Sequence, residues 1–180
     1  MVLEIGIPNF FDRDSLDFKL IKSIIKEQGS VTCRNELSNS YISDCLQTFT
    51  AGYIIVGNIS NNSKRCSSGK YVLKGFVLFC YDEFSTVLSG KILCGRKSYS
   101  GTGIELLNCV QSYAKNVRAT RWEIYSLPYE KLMTYYENFG FTRGISIYKS
   151  GKLKVVQMAK TFEYEHESCE ESEDESEEEK

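Results

Sequence analysis

The chain has 180 residues, 42% of them hydrophobic and 13% aromatic, with only two prolines; this length and composition fit one packed domain and exclude a wholly disordered or fibrous chain. A net charge of −2 hides two opposed parts: eleven of the 24 acidic residues, but only one of the 22 basic ones, lie between Glu163 and Lys180, which leaves residues 1–162 at a net +8. So dense a run of like charge predicts a disordered acidic tail at 163–180 behind a basic folded body at 1–162.

The single histidine, His166, lies in that tail, which excludes a His-based triad and a His-rich site, and no metal is expected. Cysteines at 33, 45, 66, 80, 94, 109 and 169 form no C-x-x-C pair and leave one over if the others were bridged. They are expected as reduced thiols in a reducing compartment, cytoplasmic or nuclear. The first residues lack the pattern of a secretory signal, and no segment has the length and hydropathy of a membrane span, so no membrane association is expected.

Residues 2–7 alternate as a short strand that Pro8 is expected to end. Asp14 then resembles a helix start, and the stripe Leu16, Leu20, Ile24 predicts a helix from about residue 14 to Gln28, with Gly29 as its stop. A weaker helical stripe runs through Leu37, Tyr41, Cys45 and Phe49. From Gly52 the period changes to two, and three strands (GYIIVGNI, YVLKGFVLFCY, FSTVLSGKILC) are predicted as an antiparallel meander, with a polar loop at Asn61–Lys70 and a turn near Asp82-Glu83. After Cys94, GRKSYSGTG leads into the helical pattern IELLNCVQSYAKNV. A strand at RWEIYSL, a helix at YEKLMTYYENFG and two strands around Ser150-Gly151 complete the body.

The stretch from Arg96 to Gly103 joins a strand to a helix through glycines. Unpaired N–H groups at a helix start favour an anion, Gly101 and Gly103 let a phosphate approach the backbone, and Arg96 and Lys97 add positive charge. The spacing fits neither a P-loop nor the dinucleotide fingerprint, whose third glycine is replaced by Leu106. Taken by itself, the loop is either an anion site or a tight connection.

The order helix, helix, three strands, glycine loop, helix, strand, helix, strand pair resembles the GNAT N-acetyltransferases across most of residues 2–162. Gly101-Thr102-Gly103 followed by Leu106 and Leu107 is similar to the end of that family's [Q/R]-x-x-G-x-[G/A] loop. Tyr135-Tyr136-Glu137-Asn138-Phe139-Gly140-Phe141 is similar to its aromatic-Tyr-Glu-x-x-Gly-Phe motif. The resemblance implies an α+β fold, a central, mostly antiparallel, splayed sheet flanked by helices. It implies acetyl-CoA as cosubstrate, its pyrophosphate on the N–H groups of Tyr99, Ser100, Gly101, Thr102 and Gly103 and its pantetheine arm along the open strand edge at Ile92, Leu93 and Cys94. Two departures stand out: Ser98 replaces the usual Gln or Arg, and Leu127-Pro128-Tyr129 replaces a stretch that often carries an Asn.

The resemblance also implies Tyr136 as the acid that meets the coenzyme sulfur. For the base, Glu123 lies in the apolar strand RWEIYSL, where desolvation would raise its pKa, and a water relay to it is expected, the alternative being a salt bridge to a neighbouring Arg or Lys; Asp82 and Glu83 read as solvated turn carboxylates. Cys94 has no histidine to activate it, so direct transfer to an amine acceptor (small molecule, polyamine or protein amine) is expected over a covalent intermediate. The alternative is a GNAT-fold protein that binds coenzyme A with little or no chemistry. Scattered basic residues argue against a nucleic-acid module. The acidic tail could recruit a basic protein partner, and the body is expected to be a monomer or a homodimer.

Overall fold

The computed structural model describes residues 3–58, 71–149 and 153–164. The expected loop at 61–70, the turn at Ser150-Gly151 and residues 165–180 of the expected tail lie outside the described residues. The elements in chain order are β1 (Pro8–Asp12), α1 (Phe18–Thr32), α2 (Asn39–Thr48), β2 (Ala51–Asn58), β3 (Tyr71–Asp82), β4 (Val87–Gly95), α3 (Thr102–Asn116), β5 (Arg121–Ser126), α4 (Glu130–Asn138), β6 (Thr142–Lys149) and β7 (Leu153–Thr161).

The strands form one seven-stranded sheet in the order β1-β2-β3-β4-β5-β7-β6. Every neighbouring pair is antiparallel except β4 and β5. This is the α+β, mostly antiparallel architecture expected from the sequence.

Both faces of the sheet are covered, because β3 carries apolar side chains on each. Leu73, Phe76 and Leu78 join a core with Ile21, Ile24 and Ile25 of α1 and Leu46 of α2. Val77 and Phe79 join a second core with Leu106, Leu107 and Val110 of α3 and Trp122 of β5. Phe76, Phe79 and Trp122 are almost wholly buried, each worth roughly 1.5–3 kcal/mol by removal of apolar surface from water. Among the described residues, no helix is long and apolar enough to cross a membrane.

Three local expectations are corrected. First, Pro8 opens β1 instead of ending a strand at 2–7; it pairs with Ile55 at the edge of the sheet, where its missing N–H costs no ladder bond. Second, α1 begins four residues late. Asp12 Oδ1 accepts from the Asp14 N–H and the Ser15 hydroxyl, and the Asp12 N–H donates to Ser15 Oγ, a local turn that competes with helix and leaves Leu16 exposed. Third, Gly29 does not stop α1. It lies inside the helix, where an added Cβ would sit 3.3 Å from Ile42 Cδ1, so it serves the close packing of α1 on α2.

The expectation of reduced thiols throughout is also corrected. Cys33, which caps α1, is bonded to Cys94 of β4 across a Cα–Cα distance of 5.0 Å and a sequence separation of 61; Cys45, Cys80 and Cys109 are free. Counting and local spacing could not find a pair so far apart, and the inference of a reducing compartment loses that support. Closing a loop of this size removes chain entropy from the unfolded state worth roughly 4 kcal/mol. Paired replacement of Cys33 and Cys94 by Ser is therefore expected to lower the urea-unfolding midpoint by an amount equivalent to about 2–4 kcal/mol. An unchanged midpoint in oxidised protein would contradict a stabilising bridge.

Candidate active site

Strand β4 runs beside β5 for only three pairs, Val87 with Arg121, Leu88 with Trp122 and Ser89 with Glu123. Beyond them the two strands part. On the other side of β4, Gly90 faces Phe79 and Ile92 faces Leu78, so Lys91 is an extra residue and forms a bulge. A bulge bends its strand, and this one falls where β4 leaves β5. From there β4 pairs with β3 alone.

The Arg96 N–H donates to the Lys74 carbonyl at 2.8 Å. By the two-residue alternation of an antiparallel ladder, Cys94 and Ile92 turn their backbone groups toward β3, while Leu93 and Gly95 turn theirs into the split. Backbone donors and acceptors held open inside a sheet are strong hydrogen-bonding groups awaiting a partner.

The loop after β4 closes on itself before the helix. Tyr99 N–H donates to the Arg96 carbonyl at 2.9 Å, and the Thr102 hydroxyl to the Tyr99 carbonyl at 3.1 Å. Gly101 then takes φ +86° as the N-cap of α3, a conformation that side chains disfavour. The first helical bond runs from the Glu105 N–H to the Gly101 carbonyl, which leaves the N–H groups of Gly101, Thr102, Gly103 and Ile104 without an intrahelical acceptor. The expected cradle at Tyr99–Gly103 is thus shifted: the Tyr99 donor is already used, and the open set runs from Gly101 to Ile104. Arg96 is half-buried beside it, and Lys97, Ser98 and Ser100 are exposed.

Two residues to which sequence reasoning gave no site role shape this corner. A Cβ on Gly75 of β3 would collide with Thr102 Cγ2 and lie 2.9 Å from the Cys94 carbonyl oxygen, so only glycine lets the start of α3 seat on the β3–β4 ladder. A glycine inside an apolar strand is the available signal for such an approach. Tyr135 is the other: its hydroxyl lies over the first turn of α3, 2.9 Å from where a Gly103 Cβ would be. Tyr135 Oη and Trp122 Nε1 are both buried without a partner among the described residues, and Trp122 Nε1 is 3.7 Å from the Cβ position of Gly90, where the split begins.

No protein-family model matches the chain, and no curated protein sequence matches it. Solved structures do. The GCN5 structure from Tetrahymena matches at a TM-score of 0.59 and 14% identity, covering 86% of this chain and 94% of that one. The ribosomal-protein-S18-alanine N-acetyltransferase from Escherichia coli matches at 0.57 and 12%, covering 90% and 98%. An aminoglycoside 6'-N-acetyltransferase complexed with coenzyme A matches at 0.54 and 13%, covering 86% and 96%. The chain has the GNAT fold.

Within this GNAT fold the other expected site residues fall as follows. Tyr136 is buried, its ring against Tyr135 at 5.4 Å and Phe141 at 5.8 Å. Burial, and then the neighbouring Tyr135, push its pKa far above the ordinary tyrosine value; burial also raises that of Tyr135. Glu123 is not the desolvated carboxylate expected. Its side chain is 21% exposed and its Oε1 is 2.8 Å from Arg121 Nε, a pairing that two residues on one face of a strand make readily. Asp82 is a turn carboxylate, as expected, its pKa held below the usual range by the Ser85 hydroxyl and the Phe84 N–H. Ile92 and Cys94 are buried, and the Cys94 sulfur is taken up by Cys33.

Helix α4, which carries both tyrosines, is fixed at its two ends. Lys160 of β7 donates to Gln111 Oε1 of α3 at 2.6 Å and to the Phe139 carbonyl at 2.7 Å, joining α3 to the end of α4. Its positive charge there also favours the helix dipole. Arg143 of β6 bonds Glu130 in the first turn of α4 and Glu137 in the last. Arg143 lowers the Glu130 pKa through these hydrogen bonds. A lowered carboxylate pKa contributes stability that is complete above the ordinary glutamate range and is lost as pH falls through the folded-state value. Wild type should therefore melt above Arg143→Met at neutral pH, and the gap in melting temperature should close on acidification below the ordinary glutamate range. A gap that stays constant with pH would contradict an ionic clamp.

Proposed function

We propose that the protein is an N-acetyltransferase that moves the acetyl group of acetyl-CoA directly to an amine. The observation that carries this reading is the split between β4 and β5 opening beside four free N–H groups at the start of α3. A coenzyme with a pyrophosphate and an amide-bearing arm matches that pair of features. The pyrophosphate would take the donors of Gly101–Ile104, with Arg96 and Lys97 balancing its charge. The arm would pair with the backbone of Leu93 and Gly95 as an added strand does. The GNAT fold, and the presence of coenzyme A in the aminoglycoside 6'-N-acetyltransferase complex, support the same ligand.

In the reaction the amine nitrogen attacks the thioester carbonyl, the carbon–sulfur bond breaks, the nitrogen gives up a proton and the sulfur gains one. Tyr136 is the donor to the departing sulfur. Its high pKa keeps the hydroxyl protonated at any working pH, and full proton transfer requires the same burial to raise the thiol. Because Glu123 is held by Arg121, the amine proton leaves through water, either to solvent or to Glu123 at its exposed edge. That pairing also favours a second reading, a coenzyme-binding protein with little chemistry.

Release of free coenzyme A from acetyl-CoA over a panel of polyamines, aminoglycosides and peptides separates the two. An enzyme is expected to show acceptor-dependent release that Tyr136→Phe lowers by about 10²–10⁴-fold in kcat with little change in KM. Acetyl-CoA binding without acceptor-dependent release would select the second reading, and no binding at millimolar coenzyme would contradict both.

A further inference from the structure

At the mouth of the candidate site, two chain segments distant in sequence bring three cations together. Arg34 follows α1 in a turn where Arg34 and Asn35 take φ of 57° and 58°. Arg96 and Lys97 follow β4. An open basin of about 510 Å³ lies between them, lined by Val31, Arg34, Arg96, Lys97 and Ser98. The Cys33–Cys94 bond fixes the arrangement, since Arg34 is next to one half-cystine and Arg96 two residues from the other. Among the described residues, none of these three charges has a carboxylate partner. A fixed, unbalanced cationic basin attracts an anion.

The chain supplies one. Tyr164, the last described residue, is anchored by its hydroxyl to the Ala114 and Ala119 carbonyls at the far end of α3. From there the chain continues for 16 residues, ten of them acidic. The 15 residues of α3 put the start of that helix, where the loop carrying Arg96 and Lys97 ends, roughly 22 Å from that anchor, at 1.5 Å per residue. Sixteen residues can extend about 53 Å at 3.3 Å each. The tail therefore spans the length of α3 with reach left over for the basin beyond it.

We propose that the acidic segment 165–179 docks in its own chain's basin at Arg34, Arg96 and Lys97 and there competes with phosphate-bearing ligands of the glycine loop. The competition rests on the coenzyme reading above; the docking does not. The contact is electrostatic and exposed, so it is weak, reversible and weakened by salt. Because tether and basin belong to one molecule, its occupancy does not depend on protein concentration.

Zero-length carbodiimide cross-linking of the full chain, read by mass spectrometry on an equal mixture of light and heavy protein, tests the docking. At low salt the expected result is intramolecular links from Lys97 to tail carboxylates, in several-fold excess over links to the exposed Lys19 or Lys131, and lost at high salt or in Arg34→Glu. Links spread evenly over the lysines, links only between molecules, or none would overturn the proposal. Replacing the acidic residues of 165–179 by their amides in the full chain is expected to tighten coenzyme A binding about 3- to 10-fold at low salt, with no difference at high salt. Lys97 links with unchanged coenzyme affinity would leave the docking standing and overturn the competition. Tighter coenzyme binding without Lys97 links would do the reverse to the docking, while the coenzyme site would stand.

Discussion

The structure depends on the parting of β4 from β5 after three residue pairs. A continuous parallel ladder would satisfy the backbone groups of Leu93 and Gly95 and leave an ordinary mixed sheet with nothing to bind. Instead the Lys91 bulge turns β4 aside, and β5, which pairs with β7 along its whole length, keeps β7 as its one neighbour in its second half. The sheet can tolerate the gap because its two halves are held by other means. On one side α1 and α2 pack on β3 and β4, and the Cys33–Cys94 bond ties the end of α1 to the diverging strand. On the other, the α3 core bridges from β3 to Trp122 across the split.

The glycine loop gains its meaning from this arrangement. A helix start with free N–H groups is a common feature, but here Gly75 allows it to seat against the very strand whose edge is open. Tyr135 closes the corner from α4, and Lys160 and Arg143 hold α4 in place. Among the described residues, the buried hydroxyl of Tyr135 has no partner at the start of α3, and the buried indole N–H of Trp122 has none near Gly90, where the split begins. Buried donors without acceptors are uncommon in folded proteins, and these two lie at the two ends of the feature, the start of the split and the start of α3.

Much of this was legible in the sequence. The periodicities gave nearly every element, and the glycines at 101 and 103 marked the loop. Most of what the sequence hid was long-range. The Cys33–Cys94 pairing joins residues 61 apart, and the need for glycine at 75 exists only because α3 returns to touch β3. Asp12 lies four residues before the first helical pattern, so its turn with Ser15 was masked by an apolar stripe that began at Leu16. Glu123 is a different case: strand alternation places Arg121 on its face, so the salt bridge held as the alternative is the one formed, and the apolar neighbours Trp122 and Ile124, which face the other way, gave the base reading too much weight.

The central claim is that the β4–β5 split and the start of α3 form one coenzyme site. Backbone amide chemical shifts of the full chain, followed during titration with coenzyme A, test it most directly. The account predicts the largest changes at Leu93, Gly95 and Gly101 to Ile104, moving together with a single affinity. Binding that leaves these amides unmoved, and instead perturbs the separate basin at Leu3, Asn9 and Asp17 beside β1, would contradict it.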